Sequence, residues 1–456
     1  MCNVRNKIFL VILLVFEGSL GCYITQLVYS NANFLINIPN KIETDEITLS
    51  NQGNIDYDDQ KLFWFIQISD TQFLWYNVDK IAGFYKFLNE TYKEITPLFI
   101  FHTGDIVDAN HGLEQDKTEW ENYRKALDDN NMNASIYMDV IGNHDAVHNP
   151  NFTYFLNYSM MGLSFNTTQY SFNHSFTFGQ YAFIGLDTAK ESYNLFQFAF
   201  QGFLSSEEID WYENELEMYK DFDKVFVFGH NPSSYPPFYN INSDESLSGK
   251  DFYELNEEYN VSFYLSGHVH ENSFQYSNNL LTITTSNFDQ GGGIYRIISL
   301  DNNRLSTSVG YVGDWPQAII TNPPGEEYLL GDLTVVEKKL RVLAWDPKGI
   351  NSVKWSLFKN EYQLINWKPL EKISNEDPLW ESNLNFTNRG NLLIKVKIEG
   401  GSGEIVKELR YNLSDDNIDN NNTISLIVLI IVVAGLVSTA IIYNHYIPKK
   451  NNEKKK

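Results

Sequence analysis

The 456-residue chain contains very little cysteine, because only Cys2 and Cys22 occur and both lie within the first 22 residues. A framework of disulfide bonds is therefore excluded for the remaining chain, although many secreted domains rely on one. A chain of this length can bury a large apolar core without such cross-links. Compactness must then come from packing rather than from covalent bonds.

Basic side chains are also scarce, with 34 Lys and Arg against 58 Asp and Glu, a net charge of −24. Without residues 1–22 and 424–456, 27 basic and 56 acidic side chains remain, a balance of −29. A surface this acidic repels polyanions over long distances. No nucleic-acid binding is expected unless a bound metal ion reverses the local field.

Long apolar runs are confined to the two ends of the chain. Arg5 and Lys7 precede an uncharged apolar run, Ile8–Phe16, which is followed by small residues. This layout is typical of a secretory signal peptide and predicts one over residues 1–22, since the run is too short to cross a bilayer. The alternative is a buried N-terminal helix.

The second apolar run, Ile424–Tyr443, has twenty residues without a charge, enough to cross a hydrocarbon layer of roughly 30 Å. The tail 444–456 has five lysines and one glutamate, so the positive-inside rule places it in the cytoplasm. The sequence therefore predicts a single-pass type I membrane protein with a lumenal or extracellular main part. Ten Asn-x-Ser/Thr sites support a glycoprotein; they begin at Asn89, Asn133, Asn151, Asn157, Asn166, Asn173, Asn260, Asn385, Asn412 and Asn421.

Residues 23–57 are polar and rich in asparagine, which indicates a loosely packed arm. From Lys61 onwards, apolar runs typical of buried strands alternate with segments of helical spacing. In one such segment, Ser205 and Glu208 have the spacing of a helix-capping box. The apolar runs occur in "KLFWFIQIS", "PLFIFHTGD", "ASIYMDVIGNHD", "YAFIGLDT", "KVFVFGHNP" and "VSFYLSGHVH". The alternation predicts an α/β layer fold.

The pattern changes after Trp315, where short strands such as "RVLAWD", "INSVKWSLF" and "LLIKVKIEG" follow one another without helical segments. The run Ile394–Ile398 alternates strictly between apolar and basic residues, as in a strand with one buried face. We therefore expect an all-β sandwich of immunoglobulin type over residues 316–412.

Polar side chains with metal-binding chemistry follow five of the apolar runs. Carboxyl ends of strands are where ligands bind in open α/β sheets, so these side chains are expected to meet at one rim. Each residue alone is commonplace in loops, but the ordered set predicts a metal site. The set comprises Asp70, Gln72, Asp105, Asn143, His144, Asp145, His230, His268 and His270. Glycine before four of these residues would permit tight turns.

The series "SDTQ", "TGD", "GNHD", "FGH" and "SGHVH" resembles the calcineurin-like metallophosphoesterase superfamily, whose motifs are D-x-H, G-D, G-N-H-[DE], G-H and G-H-x-H. The resemblance implies a four-layer α/β/β/α sandwich over residues 58–312 and two bound divalent metal ions. It also implies that Asp70 and His270 hold the first ion and that Asp105 bridges both. Asn143, His230 and His268 would hold the second ion. His144 would act as general acid or phosphate contact, and Asp145 would orient it.

Gln72 departs from this pattern, because the superfamily usually has histidine there. An amide oxygen binds hard cations but is a weaker ligand than imidazole for zinc or iron. The cofactor prediction is therefore two divalent ions, with Mn2+ or Mg2+ favoured over Fe2+ or Zn2+. Alternatively, the Gln72 amide binds no metal and only hydrogen-bonds to a ligand.

These features predict metal-dependent hydrolysis of a phosphomonoester or phosphodiester by a membrane-anchored enzyme facing the lumen or cell exterior. One alternative is a catalytically inactive glycoprotein that binds metal with the same fold, which the substitution at Gln72 would allow. Another is that the β-sandwich acts as an adhesion module. The order of segments also resembles a membrane-bound branch of the superfamily whose members end in several spans rather than one. The sequence specifies neither the substrate beyond a phosphate ester nor the oligomeric state.

Overall fold

The computed structural model describes residues 53–55, 60–74, 78–189, 201–234, 239–288, 292–325, 339–384 and 390–413. The predicted signal peptide, the apolar run 424–443 and the tail 444–456 lie outside the described residues, as does most of the predicted arm. Among the described residues, no helix has the length and apolar character needed to cross a membrane.

The described strands, numbered along the chain, are β1 Asn54–Ile55, β2 Leu62–Ile68, β3 Ile100–His102, β4 Tyr137–Asp139, β5 Tyr170–Phe176, β6 Gly179–Gly185, β7 Gly202–Leu204, β8 Lys224–Phe228, β9 Ile241–Ser243, β10 Phe263–Ser266, β11 Ser273–Ser277, β12 Leu280–Thr284, β13 Ile294–Asp301, β14 Arg304–Tyr311, β15 Gln317–Asn322, β16 Lys339–Trp345, β17 Ile350–Lys359, β18 Tyr362–Pro369, β19 Glu371–Lys372, β20 Leu379–Asn383, β21 Gly390–Gly400 and β22 Glu404–Leu413. The main helices are Val78–Lys86, Lys117–Asp129, Ser206–Met218 and Phe252–Glu258. Shorter helical segments are Phe87–Thr91 (a π-helix), Tyr92–Ile95, Ala109–Gly112, Asn143–Ala146, Pro150–Phe152 (a 3-10 turn), Thr153–Tyr158 and Met160–Phe165.

The first sheet has the strand order β14-β13-β2-β3-β4, with β1 added beside β2. Strands β2, β3 and β4 are parallel, whereas β13 runs antiparallel to β2. Every residue of β2 is buried, which explains its nearly continuous apolar run, interrupted only by Gln67. The predicted arm reaches residue 57, but Asn54 and Ile55 pair with β2 because Ile55 supplies a buried apolar anchor.

The second sheet has the order β11-β12-β10-β8-β6-β5. Its strands β6, β8, β10 and β12 are parallel, and antiparallel strands flank them on both sides. The carboxyl ends of β8 and β10 therefore lie side by side. These are the strands that precede His230 and His268.

Three apolar clusters stack the sheets and helices. An aromatic-rich cluster lies between the two sheets, where the rings of Phe101 and Phe228 approach to 4.2 Å between centroids. A second cluster joins the opposite face of the first sheet to helix Lys117–Asp129 and its neighbours. A third joins the second sheet to helices Ser206–Met218 and Phe252–Glu258. The prediction of a mixed α/β fold is confirmed.

The predicted capping box begins helix Ser206–Met218 as expected. Glu208 Oε2 accepts the backbone N–H of Ser205 at 2.6 Å, and Ser205 Oγ accepts that of Glu208 at 3.4 Å. These contacts satisfy backbone donors that the first helical turn leaves without partners. The helix then packs Ile209 and Leu216 into the third cluster.

The C-terminal region adds two four-stranded sheets, β15-β16-β20-β19 and β18-β17-β21-β22. Apolar side chains from both sheets, including Val342, Trp355 and Val396, form a shared core. The predicted all-β character is observed, and the alternating pattern buries one face of β21, where Leu392, Ile394, Val396 and Ile398 point into this core.

A buried ion pair joins the C-terminal sheets to the first sheet. The guanidinium of Arg341 on β16 contacts the carboxylate of Asp301 on β13, and both side chains are almost inaccessible to solvent. Arg341 Nε also lies 3.1 Å from Glu381 Oε1, without the alignment of a hydrogen bond. Thr321 Oγ1 donates to Asp301 Oδ2 at 2.7 Å. Nearby, Trp64 and Trp345 bring their rings to 5.9 Å.

We expect Arg341→Met to lower the free energy of unfolding by about 3–5 kcal/mol, because it leaves the Asp301 carboxylate buried without its cation. Urea denaturation followed by tryptophan fluorescence measures the change. The matched control is Lys339→Met, whose ammonium contacts Glu381 at 2.8 Å but is half exposed. Its loss should cost less than about 1 kcal/mol. Equal effects of the two substitutions would contradict a buried pair that stabilises the junction.

Candidate metal centre

The predicted site residues follow strands of both large sheets. Asp70, Asp105 and Asn143 come after β2, β3 and β4 of the first sheet, whereas His230 and His268 come after β8 and β10 of the second. Because the two sheets face each other, their carboxyl ends share one edge of the domain. The expected single rim is thus assembled from two sheets.

One group of ligand atoms converges on His230 Nε2. This nitrogen lies 2.9 Å from Asn143 Oδ1, 3.3 Å from Asp105 Oδ1 and 3.1 Å from His268 Nδ1. The potential ligand atoms of Asp105, His230 and His268 all lie within 4.8 Å of one another, and all three residues are buried. Carboxylate, amide and imidazole donors at this spacing can hold one divalent cation.

The protonation of His230 supports this assignment. Its Nδ1 lies 2.8 Å from the carbonyl oxygen of Thr103, which can only accept, so Nδ1 carries a proton. Its Nε2 then faces acceptor atoms and requires either a second proton or a metal ion. Burial lowers the pKa of His230, but the charges of Asp105 and Asp70 outweigh this and raise the pKa to about 9. A metal ion would therefore have to displace a proton.

A second pair of ligand atoms lies beside this group. Asp70 Oδ1 is 3.2 Å from His270 Nε2, while Asp70 Oδ2 accepts the backbone N–H of His268 at 3.0 Å. Asp70 is fully buried, yet Oδ1 makes no aligned hydrogen bond within the described part of the chain. Buried carboxylate oxygens normally have a partner. A cation bound between Asp70 and His270 would supply the partner that Asp70 Oδ1 lacks.

The charges of this second pair are linked to those of the first group. Burial raises the pKa of Asp70, but the neighbouring His270 and His230 lower it overall. Burial likewise lowers the pKa of His270, and its contact with Asp70 raises it overall. Burial also raises the pKa of Asp105, but the charges of His230 and His144 outweigh this effect. They hold the pKa of Asp105 well below the usual range. Both carboxylates are therefore ionised and available to a cation.

Gln72 is 8 % exposed, and its backbone is fixed beside Asp105. Its backbone N–H donates to the carbonyl oxygen of Asp105 at 3.0 Å, and its carbonyl oxygen accepts from Lys80 Nζ at 3.2 Å. These contacts place residue 72 at the same edge as the predicted ligands. They do not distinguish a metal-binding amide from one that hydrogen-bonds to a ligand.

Five of the predicted ligand positions have left-handed backbone conformations. The φ angles are 53° for Asp70, 41° for Gln72, 53° for Asp105, 70° for His268 and 56° for His270. A left-handed conformation costs an L-residue with a Cβ roughly 1–2 kcal/mol. Such strain is concentrated at functional sites, where the surrounding structure imposes it. Its concentration here is independent support for a functional centre.

Glycine serves this centre in two ways. Gly104 has φ 86° and provides the tight turn expected before Asp105. Gly142 and Gly267 are needed for space instead, since a Cβ would lie 2.3 Å from Asp105 Oδ1 at Gly142 and 2.4 Å from Asp70 Oδ2 at Gly267. The expectation of a tight turn therefore holds for Gly104, whereas close approach of the carboxylates explains the other two glycines.

His144 lies at the edge of the centre with its side chain 14 % exposed. Its Nδ1 is 2.8 Å from the carbonyl oxygen of Asp108, and its Nε2 is 3.9 Å from Asp105 Oδ2. Nδ1 thus faces this carbonyl oxygen, and the orienting role of Asp145 stays a prediction. The Asp145 carboxylate is engaged elsewhere, since it accepts backbone N–H groups from Ile106, Val107 and Gly142 at 2.8–3.1 Å. Asp145 thus joins the loops after β3 and β4.

Gln115 is a supporting residue without a sequence signal. Its Nε2 donates to the carbonyl oxygens of His144 at 2.9 Å and Val147 at 2.6 Å, and its Oε1 accepts from Trp120 Nε1 at 2.7 Å. The amide therefore holds the short helix that carries Asn143 and His144. A glutamine that contacts backbone carbonyl groups and one tryptophan belongs to no recognisable motif, so the sequence could not reveal it.

Comparison with known proteins supports the same chemistry. Residues 63–272 match the family model described as Calcineurin-like phosphoesterase. Transmembrane protein 62 from Mus musculus is 25% identical over 318 residues, covering 64% of this chain and 46% of that protein. The chain thus spans about half the length of this curated relative. The predicted resemblance to the superfamily is confirmed over the matched residues, and so is that to the membrane-bound branch.

The similarity to solved structures is more distant. GAP50, the anchor in the inner membrane complex of Plasmodium, is 15% identical with a TM-score of 0.36, covering 56% of this chain and 85% of that one. A putative 5'-nucleotidase from Staphylococcus aureus is 14% identical with a TM-score of 0.34, covering 56% and 55%. Both TM-scores are below 0.5, so neither protein bears on the function of this chain.

We expect Gly267→Ala to lower divalent-metal affinity at least about tenfold, since the new Cβ would meet Asp70 Oδ2 at 2.4 Å and Ser69 Oγ at 1.7 Å. Isothermal titration with Mn2+ measures the affinity. Gly83→Ala is the matched control, because nothing lies within 4 Å of its Cβ in helix Val78–Lys86. That change should leave the affinity intact and stabilise the helix by about 0.5–1 kcal/mol. Unchanged affinity in Gly267→Ala would argue against a ligand role for Asp70.

Proposed function

We propose that the calcineurin-like phosphoesterase domain of this chain hydrolyses a phosphomonoester or phosphodiester with the aid of two divalent metal ions. The observation that carries the proposal is the buried convergence of Asp105, Asn143 and His268 on His230 Nε2, with Asp70 and His270 alongside. The family match over residues 63–272 supports the same reaction class.

In this proposal Asn143, His230 and His268 hold one ion, and Asp70, Gln72 and His270 hold the other. By resemblance to the superfamily, Asp105 would bridge them, and its Oδ1 lies 3.3 Å from His230 Nε2. When bound, the ions would stabilise the phosphoryl oxygens and make hydroxide available near neutral pH. They would also bring positive charge to a strongly acidic protein, so that an anionic phosphate ester can approach.

His144 would supply the proton that the leaving oxygen needs. In its imidazolium form, Nδ1–H remains on the Asp108 carbonyl while Nε2–H can be transferred to substrate. Nε2 lies 3.9 Å from the Asp105 carboxylate, at the side of the ring that faces the proposed ions. Partial exposure of the ring leaves room for a substrate oxygen.

The remaining segments fit a membrane-anchored glycoprotein. The two C-terminal sheets with a shared core support an immunoglobulin-like domain over residues 316–412, and the three stacked clusters support a four-layer arrangement over residues 58–312. The uncharged run 424–443 would anchor the chain with its catalytic part in the lumen or outside the cell. The sequon asparagines that the structure describes with their side chains are all exposed: Asn89, Asn133, Asn151, Asn157, Asn166, Asn173 and Asn260.

We expect the detergent-solubilised full-length chain to hydrolyse p-nitrophenyl phosphate or its bis ester with Mn2+. Asp105→Asn should abolish turnover, because the bridging charge is lost. His144→Gln should lower turnover about 100-fold or more while metal content stays unchanged, because only proton transfer is affected. Asp129→Asn, at an exposed helix position, is the control.

The outcome that contradicts this proposal is absence of turnover with Mn2+, Mg2+, Fe2+ and Zn2+ despite stoichiometric metal binding. Such a result would support the alternative of a metal-binding glycoprotein without catalytic activity. Elemental analysis of the same samples separates this case from simple failure to bind metal.

A second prediction concerns residue 72. Gln72→His should increase the retention of Zn2+ after dialysis about tenfold, because imidazole is the stronger ligand for this ion. Gln180→His, at an exposed strand position, is the matched control and should not change retention. If Gln72→His also leaves retention unchanged, residue 72 does not contact the metal.

A further inference from the structure

The aromatic-rich cluster between the two large sheets ends in a layer of polar side chains. Along β2, β3 and β12, the residue two positions after an apolar member of the cluster, and hence on the same face, is polar. A fourth polar residue, on β13, is the register partner of the one on β2. These four residues, each at most 1 % exposed, form the polar layer: Gln67, Thr103, Thr285 and Arg296. Burying polar groups is costly unless they are hydrogen-bonded, so the polar layer calls for an explanation.

Hydrogen bonds run through the polar layer and cross repeatedly between the two sheets. Arg296 Nε donates to Thr285 Oγ1 at 2.9 Å, and Thr285 Oγ1 donates to Gln67 Oε1 at 2.7 Å. Gln67 Nε2 then donates to the carbonyl oxygen of Ser266 at 2.9 Å and to Thr103 Oγ1 at 3.1 Å. Since a guanidinium can only donate and a carbonyl oxygen can only accept, the direction of each bond from Arg296 to Ser266 is fixed.

The polar layer contacts the backbone that carries the proposed metal ligands. Ser266 lies two residues before His268 in the second sheet, and Thr103 lies two residues before Asp105 in the first. The carbonyl oxygen of Thr103 also faces His230 Nδ1 at 2.8 Å. The hydrogen bonds of the polar layer therefore end at the segments from which ligands of both sheets project.

A second branch leads from Arg296 towards the proposed ion beside Asp70. Arg296 Nη2 donates to Asn272 Oδ1 at 2.9 Å, and the same oxygen accepts the backbone N–H of Ser286 at 3.2 Å. Ser286 Oγ donates to the carbonyl oxygen of His270 at 2.7 Å. His270 has a left-handed φ of 56°, which surrounding contacts of this kind must hold in place.

We infer that Gln67, Thr285 and Arg296 are positioning residues for the metal centre. The hydrophobic effect is non-directional, so an apolar layer alone would not fix the position of one sheet relative to the other. A fully hydrogen-bonded buried network specifies a single arrangement. Ligands that come from two sheets must meet to within about 0.5 Å to hold a metal ion. The inference rests on the proposed function only in treating this edge as a metal centre, and it does not require hydrolysis.

The test replaces the central link of the network, Thr285, in the detergent-solubilised full-length chain. Valine keeps the shape of threonine and removes the hydroxyl group, whereas serine keeps the hydroxyl group. In isothermal titration with Mn2+, we expect Thr285→Val to lower the affinity about tenfold or more, because the two sheets are no longer held in one relative position. Thr285→Ser should keep the wild-type affinity, because its hydroxyl can make both hydrogen bonds.

Thr321→Val is the matched control, since the Thr321 hydroxyl is equally buried but donates to Asp301 Oδ2 at the junction with the C-terminal sheets. This change should lower the midpoint of urea denaturation, as Thr285→Val does, and leave the Mn2+ affinity unchanged. Wild-type affinity in Thr285→Val would overturn the inference. Equal losses of affinity in Thr285→Val and Thr285→Ser, or in Thr285→Val and Thr321→Val, would overturn it too.

If Thr285→Val does not fold, Gln67→Met applies the same test, because methionine has a similar length and cannot donate to the Ser266 carbonyl oxygen. Absence of turnover in a wild-type chain that binds Mn2+ would reject the proposed hydrolysis alone, since the affinities still decide the role of the polar layer. A wild-type chain that binds no Mn2+ would overturn the inference as well.

Discussion

The convergence of buried acceptor groups at one edge of two sheets is the constraint on which the rest of the structure depends. Asp70 and Asp105 are both buried carboxylates, and each raises the cost of ionising the other. Asn143, His230 and His268 add further lone pairs to the same region. Such a group of atoms is unstable without positive charge. Protons on histidine can supply that charge, and divalent cations can supply more of it.

The scaffold must offset the strain that this convergence imposes. Five left-handed ligand positions together cost on the order of several kcal/mol, comparable with the net stability of a typical domain. The offset comes from the cores on both sides of each sheet, which bury almost every residue of the strands that lead to the site. Rigid strands ending in strained loops place ligands more accurately than flexible loops could. The absence of Cβ atoms at Gly142 and Gly267 permits the final close approach.

The sequence predicted the strands and the residues at their ends because buried parallel strands have continuous apolar runs. It could not show that His230 and His268 belong to a different sheet from Asp70, since strand order depends on long-range pairing. The contact of His144 Nδ1 with the Asp108 carbonyl oxygen could not be predicted either, because a backbone carbonyl carries no sequence signal. The junction between Arg341 and Asp301 was likewise invisible, as residues distant in sequence form it. The predicted ends of the chain lie outside the described residues.

The two proposed ion positions differ in how completely the protein surrounds them. Around His230, the contributing side chains are buried and lie close together before any ion binds. Beside Asp70, His270 has a side chain that is one-third exposed, and the third contributor would be the neutral amide of Gln72. Less burial lets water compete for the ion, and a neutral amide neutralises none of its charge. The ion beside Asp70 would therefore be the more weakly held and the more accessible, so substrate oxygen would most readily replace water there. Gln72, where the chain departs from the superfamily motif, thus belongs to the more weakly binding of the two proposed positions. Weak binding there leaves the buried group around His230 undisturbed.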